Sequence, residues 1–322
     1  MHIWQTIKKP IFALAPMEDV TDIVFRQIIY SCARPDVSFT EFINVEGMHS
    51  RGREAIIHRL KFTGSERPLV AQVWGVKPED YKKSAAEIAV MGFDGIDINM
   101  GCPIKDVMKN GACAALINNP SLAKEIIHAT KEGADGLPVS VKTRIGFKSI
   151  TTEAWIFHLF SCGIAAITVH GRTAVELSKV PAHWDEIGRV VAMRNAMKRE
   201  TVVLGNGDVS SREDGLAKIA EYGVDGVMMG RAVFDDPWIF DTSRPKSTHT
   251  SRELLLLMRR HVELFEKTWG TDKNYAVLKK FYKVYIKGFD GASDWRVRAM
   301  ETNSPQEVYP IIDTLLSTLS KH

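Results

Sequence analysis

A closed (β/α)8 TIM barrel followed by a small all-helical C-terminal domain is the α/β architecture this sequence predicts, on three observations. Eight short apolar runs rich in Val, Ile and Ala recur through the first three quarters of the chain, each too short for a helix. Helical stretches stand between them, and strands alternating with helices build parallel βαβ units. No G-x-G-x-x-G turn follows an early strand, which argues against an open dinucleotide-binding sheet.

In chain order the expected strands are Ile11–Ala15, Val37–Phe42, Leu69–Trp74, Gly95–Asn99, Val139–Thr143, Ala166–His170, Val202–Gly205 and Gly226–Met229. Eight units in about 240 residues match the usual size of such a barrel. Asp80–Met91 and Ser121–Glu132 have the clearest helical spacing, and Arg212–Glu221 has Gly223 placed as its stop.

The character changes after Phe240. Asp241–His249 is polar, contains Pro245 and is expected to be a linker, so residues 1–242 form the barrel and 243–322 the helical domain. Thr250 and Glu253 form a capping box, followed by Leu254, Leu257, Met258, Val262 and Phe265 at helical spacing. Further helices are expected from about Asn274 to Lys287 and over Ser304–Leu319.

Composition is that of an ordinary globular protein, and a net charge of +3 neither requires nor excludes nucleic acid. The charge is unevenly spread. From Pro245 onward there are 13 Lys and Arg against 9 Asp and Glu, leaving 29 against 30 upstream. Lys279, Lys283 and Lys287 stand at i, i+4 and i+8, so one continuous helix would put them on one face. That face is either solvated or a phosphate-binding surface. No run approaches a membrane span, and Met1–Pro10 lacks an apolar stretch of signal-peptide length. The four cysteines, Cys32, Cys102, Cys113 and Cys162, have no zinc or C-x-x-C spacing. Free thiols, no metal and a cytoplasmic location are the expectation.

Active sites of (β/α)8 barrels lie at the C-terminal ends of the strands. The polar residues there are Glu18 after Pro16-Met17, Gln72, Asn99 with Cys102, Lys142 with Arg144, His170 with Arg172, Asn206-Gly207-Asp208, and Gly230-Arg231. Gly207 and Gly230 fall in the two loops that commonly hold phosphate in barrels, and Arg231 adds a fixed charge; a phosphorylated cofactor is one reading, tight turns the other. Lys142 sits in an apolar strand, where an unpaired charge is costly, so it needs an anion or ligand atom. Gln72 suits the edge of a planar heterocycle. A strand-end histidine such as His170 is more often structural, but Lys142 one strand earlier favours a shared ligand. Cys102 sits in a G-C-P turn that presents its thiol, as nucleophile or as general acid; spacing does not choose.

These segments resemble the tRNA dihydrouridine synthases. The matches are A-P-M-E-D-V-T-D-x-x-F-R (15–26), D-I-N-x-G-C-P-x-K-x-V (97–107), V-K-T-R-I-G (141–146), V-H-G-R-T (169–173), N-G-D (206–208) and D-G-V-M-M-G-R-A-x-x-x-x-P-W-I-F (225–240), in family order across the whole barrel. The resemblance implies FMN in the barrel mouth, NADPH or NADH as reductant, and uridines of tRNA as substrate. Pro16, Met17, Glu18, Gln72, Lys142 and His170 would then contact the flavin ring or ribityl chain. Asn206, Gly207, Asp208, Gly230 and Arg231 would hold its phosphate end. Cys102 matches the family's catalytic cysteine, the proton donor to C5. Asn99, Lys105, Arg144 and Arg172 become candidates for the flipped base and its phosphates, and Lys279, Lys283 and Lys287 for the tRNA backbone.

Three segments depart from the family pattern. Gly111-Ala112-Cys113-Ala114 stands where G-x-G-A is usual, Ala174–Ser178 lacks the usual Gln and Tyr, and Ala232 follows Arg231 where Gly is common. Cys113 is thus a packing residue or a second mouth thiol. Two competing functions are a flavin barrel acting on a free pyrimidine and an RNA-binding barrel without catalysis.

Overall fold

The computed structural model describes residues 1–243 and 249–319. Nine parallel strands run in the order β2-β1-β9-β8-β7-β6-β5-β4-β3. They are β1 Ile11–Leu14, β2 Val37–Phe39, β3 Ile43–Asn44, β4 Leu69–Trp74, β5 Gly95–Met100, β6 Val139–Arg144, β7 Ala166–His170, β8 Val202–Asn206 and β9 Gly226–Met229. A further β2–β4 pairing closes the ring, so β1, β2 and β4 to β9 form the expected eight-stranded barrel. β3 is a two-residue continuation of β2 on the same neighbour.

The expected Val37–Phe42 strand is therefore interrupted. The Gln72 N–H donates to the Thr40 hydroxyl at 3.0 Å, and the chain bends before pairing again at Ile43. Elsewhere the expected strands hold to within one residue, and the three barrel helices lengthen by one or two residues. The helices are Pro78–Met91, Pro120–Gly133 and Arg212–Tyr222, the last ended by Gly223 at φ +69°.

Period-two alternation sorts the barrel interior into two regions. One is an apolar cluster drawn mainly from β1, β2, β8 and β9, of Ile11, Ala13, Val37, Phe39, Val202, Leu204 and Met228, joined by Val70 of β4 and Ala166 of β7. Trp4, on the N-terminal turn Ile3–Thr6, packs into this cluster, its ring 6.3 Å from that of Phe39. Along β4 to β7 the buried side chains include Gln72, Asp97, Asn99, Ser140 and Thr168. Buried polar groups must be paired, so this second region is where a site can form.

The chain divides into two compact units, Met1–Asp22 with Pro35–Gly230, and Ile23–Arg34 with Arg231–His322. This division differs from the expected 242/243 boundary. The helix Ile23–Cys32 follows β1 in sequence but groups with the C-terminal helices, its Phe25 ring stacked 5.0 Å from Phe281. The expected linker Asp241–His249 includes residues 244–248, which lie outside the described residues.

In the second unit Thr250 and Glu253 form the expected capping box on Ser251–Trp269, and Pro305–Leu319 is helical. One expectation fails. The stretch from Asn274 to Lys287 is a 3-10 helix over Tyr275–Phe281 and then a short α-helix over Tyr282–Tyr285. Burial of Tyr275, Leu278, Phe281, Tyr282, Val284 and Tyr285 sets this shape, with Tyr275 and Thr302 hydroxyls 2.9 Å apart. The 3-10 segment has three residues per turn, so Lys279, Lys283 and Lys287 do not line one face of one helix.

Candidate active site

The strand registers set the mouth of the barrel. Gln72 pairs with Asp97, Asp97 with Ser140, and Asn99 with Lys142. Higher up, Arg144 pairs with His170 and His170 with Asn206. Gln72, Asn99, Lys142, Arg144, His170 and Asn206 lie within two residues of the C-terminal end of their strands, with Asp97 and Ser140 one layer deeper.

A hydrogen-bonded chain runs through the buried layer. Gln72 Nε2 donates to Asp97 Oδ2 at 2.7 Å, Ser140 Oγ donates to Asp97 Oδ1 at 2.6 Å, and Asn99 Nδ2 donates to Gln72 Oε1 at 3.1 Å. Gln72 keeps one amide hydrogen and one lone pair for another partner. Burial raises the Asp97 carboxyl to about 6, against the opposing pull of Ser140, Gln72 and Lys142. Burial likewise pulls Lys142 down to about 8, assisted by Arg144 and opposed by Asp97 and Cys102. The Lys142 ammonium makes no hydrogen bond among the described residues, which leaves three donors in a desolvated mouth.

The G-C-P turn is tied from both sides. Asn99 Oδ1 accepts the Gly101 and Cys102 N–H groups at 3.1 and 2.9 Å, and Arg144 Nε donates to the Gly101 carbonyl at 2.7 Å. Glycine is favoured at Gly101, because a Cβ would stand 3.3 Å from the Thr143 backbone, tighter than side chains normally pack. Cys102 is half-buried, and its thiol is lowered to about 7, first by a hydrogen bond with Cys113 and then by the Ile104 N–H, Lys142 and Arg144, against burial. Cys113 is fully buried and its thiol is pushed well up by burial. It is thus both a packed residue and a neighbour of Cys102. Its signal in sequence was the departure from G-x-G-A.

The neighbouring rim, after β7 and β8, is held by an ion pair. Arg172, only 2% exposed, donates to Asp208 Oδ2 and to the Val180 carbonyl at 2.6 Å, and its Nη1 lies 3.1 Å from His170 Nε2. Gly207 has φ +118°, and a Cβ there would meet Ala182 Cβ at 2.8 Å, so only glycine fits. Asn206 Nδ2 donates to the Met228 carbonyl at 2.8 Å. A Cβ on Gly230 would lie 3.7 Å from Met17 Sδ, which places these two expected flavin residues side by side.

Several expected site residues turn out to be committed to the protein itself. Glu18 is paired with Arg59, and Asp208 with Arg172. Arg144, 6% exposed, also donates to the carbonyls of Thr173 at 3.0 Å and Leu177 at 3.3 Å. Glu176, in the segment that departs from the family, accepts from the Thr173 N–H at 2.7 Å and contacts His183 Nε2 at 3.0 Å. That segment supplies one of the carbonyls which Arg144 binds, that of Leu177. Lys105 is exposed at the start of the short helix Lys105–Lys109. Pro16 is half-buried. Arg231 is exposed and belongs to the second unit, together with Lys279, Lys283 and Lys287. Asp97 and Ser140, given no role in the sequence reading, complete the buried chain; their inward alternation with Asn99 and Lys142 was the available clue.

A barrel with a desolvated lysine, a half-buried thiol and glycine-bearing loops after its last strands has the architecture of an enzyme of the (β/α)8 class, whose sites lie at this mouth. The family model described as dihydrouridine synthase matches residues 13–320. A probable tRNA-dihydrouridine synthase of Staphylococcus aureus (strain COL) is 44% identical over 97% of this chain and 95% of its own. A probable tRNA-dihydrouridine synthase 2 of Bacillus subtilis (strain 168) is 43% identical over 97% of this chain and 96% of its own. The chain belongs to the dihydrouridine synthase family. Among solved structures, histamine dehydrogenase from Rhizobium sp. 4-9 has a TM-score of 0.53 at 12% identity, covering 79% of this chain and 48% of that one, a likeness of fold alone. No helix among the described residues is long and apolar enough to cross a membrane, and none of their His, Cys, Asp and Glu side chains cluster as a metal site.

Proposed function

We propose that this chain reduces uridines of tRNA to 5,6-dihydrouridine, with FMN in the barrel mouth, NADPH or NADH as reductant, and Cys102 as the proton donor to C5. The observation that carries it is the G-C-P turn, clamped by Asn99 and Arg144, which holds a half-buried thiol near the desolvated ammonium of Lys142.

The residues present fit FMN. Lys142, Gln72, His170, Pro16 and Met17 would meet the ring and ribityl chain, and Lys142 gains the partner its desolvated charge needs. Asn206, Gly207 and Gly230 would hold the phosphate end, with Arg231 as a further charge. Glu18 and Asp208 act through the arginines they hold. When bound, FMN supplies hydride to C6 of the uracil ring. Cys102 delivers the proton at C5, and a thiol lowered to about 7 is well matched to that task near neutrality. Asn99, Lys105, Arg144 and Arg172 line or order the rim that a flipped uridine must enter. The basic helical unit, residues 243–322 in the sequence reading, would contact the tRNA backbone by shape more than by base sequence. A tRNA substrate supports a cytoplasmic location.

Purified protein is expected to be yellow, to bleach with NADPH, and to form dihydrouridine in bulk unmodified tRNA. Faster turnover of free uracil than of tRNA would instead favour a free-pyrimidine reductase. Colourless protein that binds tRNA and cannot take up FMN would favour the non-catalytic reading.

A further inference from the structure

Asp97 is a carboxylate sealed into the barrel, 1% exposed, with no part in the chemistry proposed above. It lies on β5 two residues before Asn99, so both belong to the same face of the strand. Gln72 on β4 and Ser140 on β6 are its cross-strand partners. Both are buried, as is Asn99. A carboxylate is a costly residue to place there unless its partners need it.

The need follows from which groups can donate. The backbone N–H groups of Gly101 and Cys102 only donate, so the Asn99 atom that meets both, at 3.1 and 2.9 Å, is its carbonyl oxygen. Asn99 Nδ2 is then left to face Gln72 at 3.1 Å, so the Gln72 atom there is its oxygen. Gln72 Nε2 in turn faces Asp97 Oδ2 at 2.7 Å. The other carboxylate oxygen takes the Ser140 hydroxyl at 2.6 Å. Every donor points the same way, from the Cys102 turn down to Asp97. An ionised carboxylate accepts on both oxygens and offers no donor, so it ends the chain with one polarity. Turning either amide over would set N–H against N–H and oxygen against oxygen.

We propose that Asp97 is a positioning residue for Cys102, acting through two amides: its carboxylate fixes the orientation of Gln72, Gln72 fixes that of Asn99, and Asn99 holds the N–H groups of the G-C-P turn. The catalytic consequence rests on the reading of Cys102 as proton donor; the ordering of the turn does not. Asp97 itself touches neither substrate nor cofactor. Arg144 holds the Gly101 carbonyl independently, so loss of the relay frees the N–H side of the turn while its carbonyl side stays tied.

The test is amide hydrogen exchange, read by mass spectrometry on the full-length protein with FMN in excess. Asp97→Leu and Asp97→Ala give Gln72 no acceptor, and the Gly101 and Cys102 amides are expected to exchange about tenfold or more faster than in wild type. Asp97→Asn is the conservative rescue. Its oxygen still accepts from Gln72, its Nδ2 donates to Ser140 Oγ, and the Ser140 hydrogen turns to the Ile96 carbonyl, 3.4 Å away. That variant is expected to exchange like wild type. Peptides from β8 and β9 report whether each variant is folded, and if Asp97→Leu is not, Asp97→Ala is read. In the same proteins, flavin bleaching by NADPH should stay near wild type. Dihydrouridine formation should fall about tenfold or more in the Leu and Ala variants alone. A folded Leu or Ala variant that keeps the turn protected, or an Asn variant that loses the protection, overturns the proposal. Product formation surviving in Cys102→Ala would sink the proton-donor reading instead, while the exchange rates still decide whether Asp97 orders the turn.

Discussion

The barrel unit and the helical unit treat their cations in opposite ways. In the barrel, Arg144 and Arg172 are 6% and 2% exposed and are spent on loop carbonyls and on Asp208. In the helical unit Lys283 is exposed, while Lys279 and Lys287, half-buried, reach the carbonyls of Met300 at 2.8 Å and Asp235 at 2.8 Å. A buried guanidinium cannot leave its partners without a large desolvation cost, so it orders structure. A surface ammonium exchanges water for phosphate at little cost. The rim arginines therefore order the mouth, and the proposed contact with the tRNA backbone falls chiefly to exposed lysines such as Lys283.

The largest effect expected on this contrast is at the residue the arginines serve. Cys102→Ala should keep bound flavin and NADPH oxidation but lose ~10³-fold in dihydrouridine formation, the range of a lost general acid. Single-turnover product analysis on unmodified tRNA measures it. In wild type, product formation should fall as pH rises through about 7, because the donor must carry its proton. A flat profile across neutrality would remove Cys102 from the step.

Arg144→Ala comes next. It strips hydrogen bonds from the Gly101, Thr173 and Leu177 carbonyls at once, and should cost about 3 kcal/mol of stability in urea unfolding. Activity should fall with it even in tRNA-binding conditions, because the Cys102 turn loosens. If Arg144→Ala weakened tRNA binding but left stability intact, the arginine would be a phosphate contact and the contrast would break.

Asp97→Asn sharpens the same point from the buried layer. The Asp97 carboxyl is raised to about 6 from 3.8, so its contribution to stability is full below about 3.8 and is lost as pH rises through about 6. The asparagine variant should lose that component of the pH profile. It should also take away the carboxylate that supports the Lys142 ammonium, moving Lys142 further below about 8. Flavin retention at pH 8 is then expected to fall about tenfold, measured by ultrafiltration of the yellow protein.

What the sequence made legible follows physical range. The eight strands, the capping box at Thr250 and the stop at Gly223 depend on neighbours a few residues away, and were readable from local pattern. The inward row of Gln72, Asn99, Lys142 and His170 was readable because strand alternation is strict. The grouping of the Ile23–Cys32 helix with the C-terminal helices was not, since it rests on contacts such as Phe25 with Phe281, which lie near opposite ends of the chain. Nor was the commitment of Arg144 to the Leu177 carbonyl, which depends on where the Glu176 loop folds back. The break after Phe281 was hidden because Tyr275 to Tyr285 satisfies a helical pattern locally, whereas its buried aromatic side chains take partners elsewhere in the unit, as Tyr275 does with Thr302.

That break leads to the smallest predicted effect and to the finest distinction among the lysines. Lys279 holds the Met300 carbonyl, whereas Lys283 stands exposed on the short helix Tyr282–Tyr285. Reversing both charges, Lys279→Glu with Lys283→Glu, should weaken tRNA binding several-fold at low salt and lower the salt-dependence slope by roughly one for each phosphate no longer neutralised, with the flavin spectrum unchanged. Tested singly, Lys283→Glu should carry most of the weakening, because its ammonium is the one not engaged on a backbone carbonyl. Equal effects from the two single variants would mean that Lys279 releases Met300 to reach phosphate, and no change from either would leave this surface simply solvated.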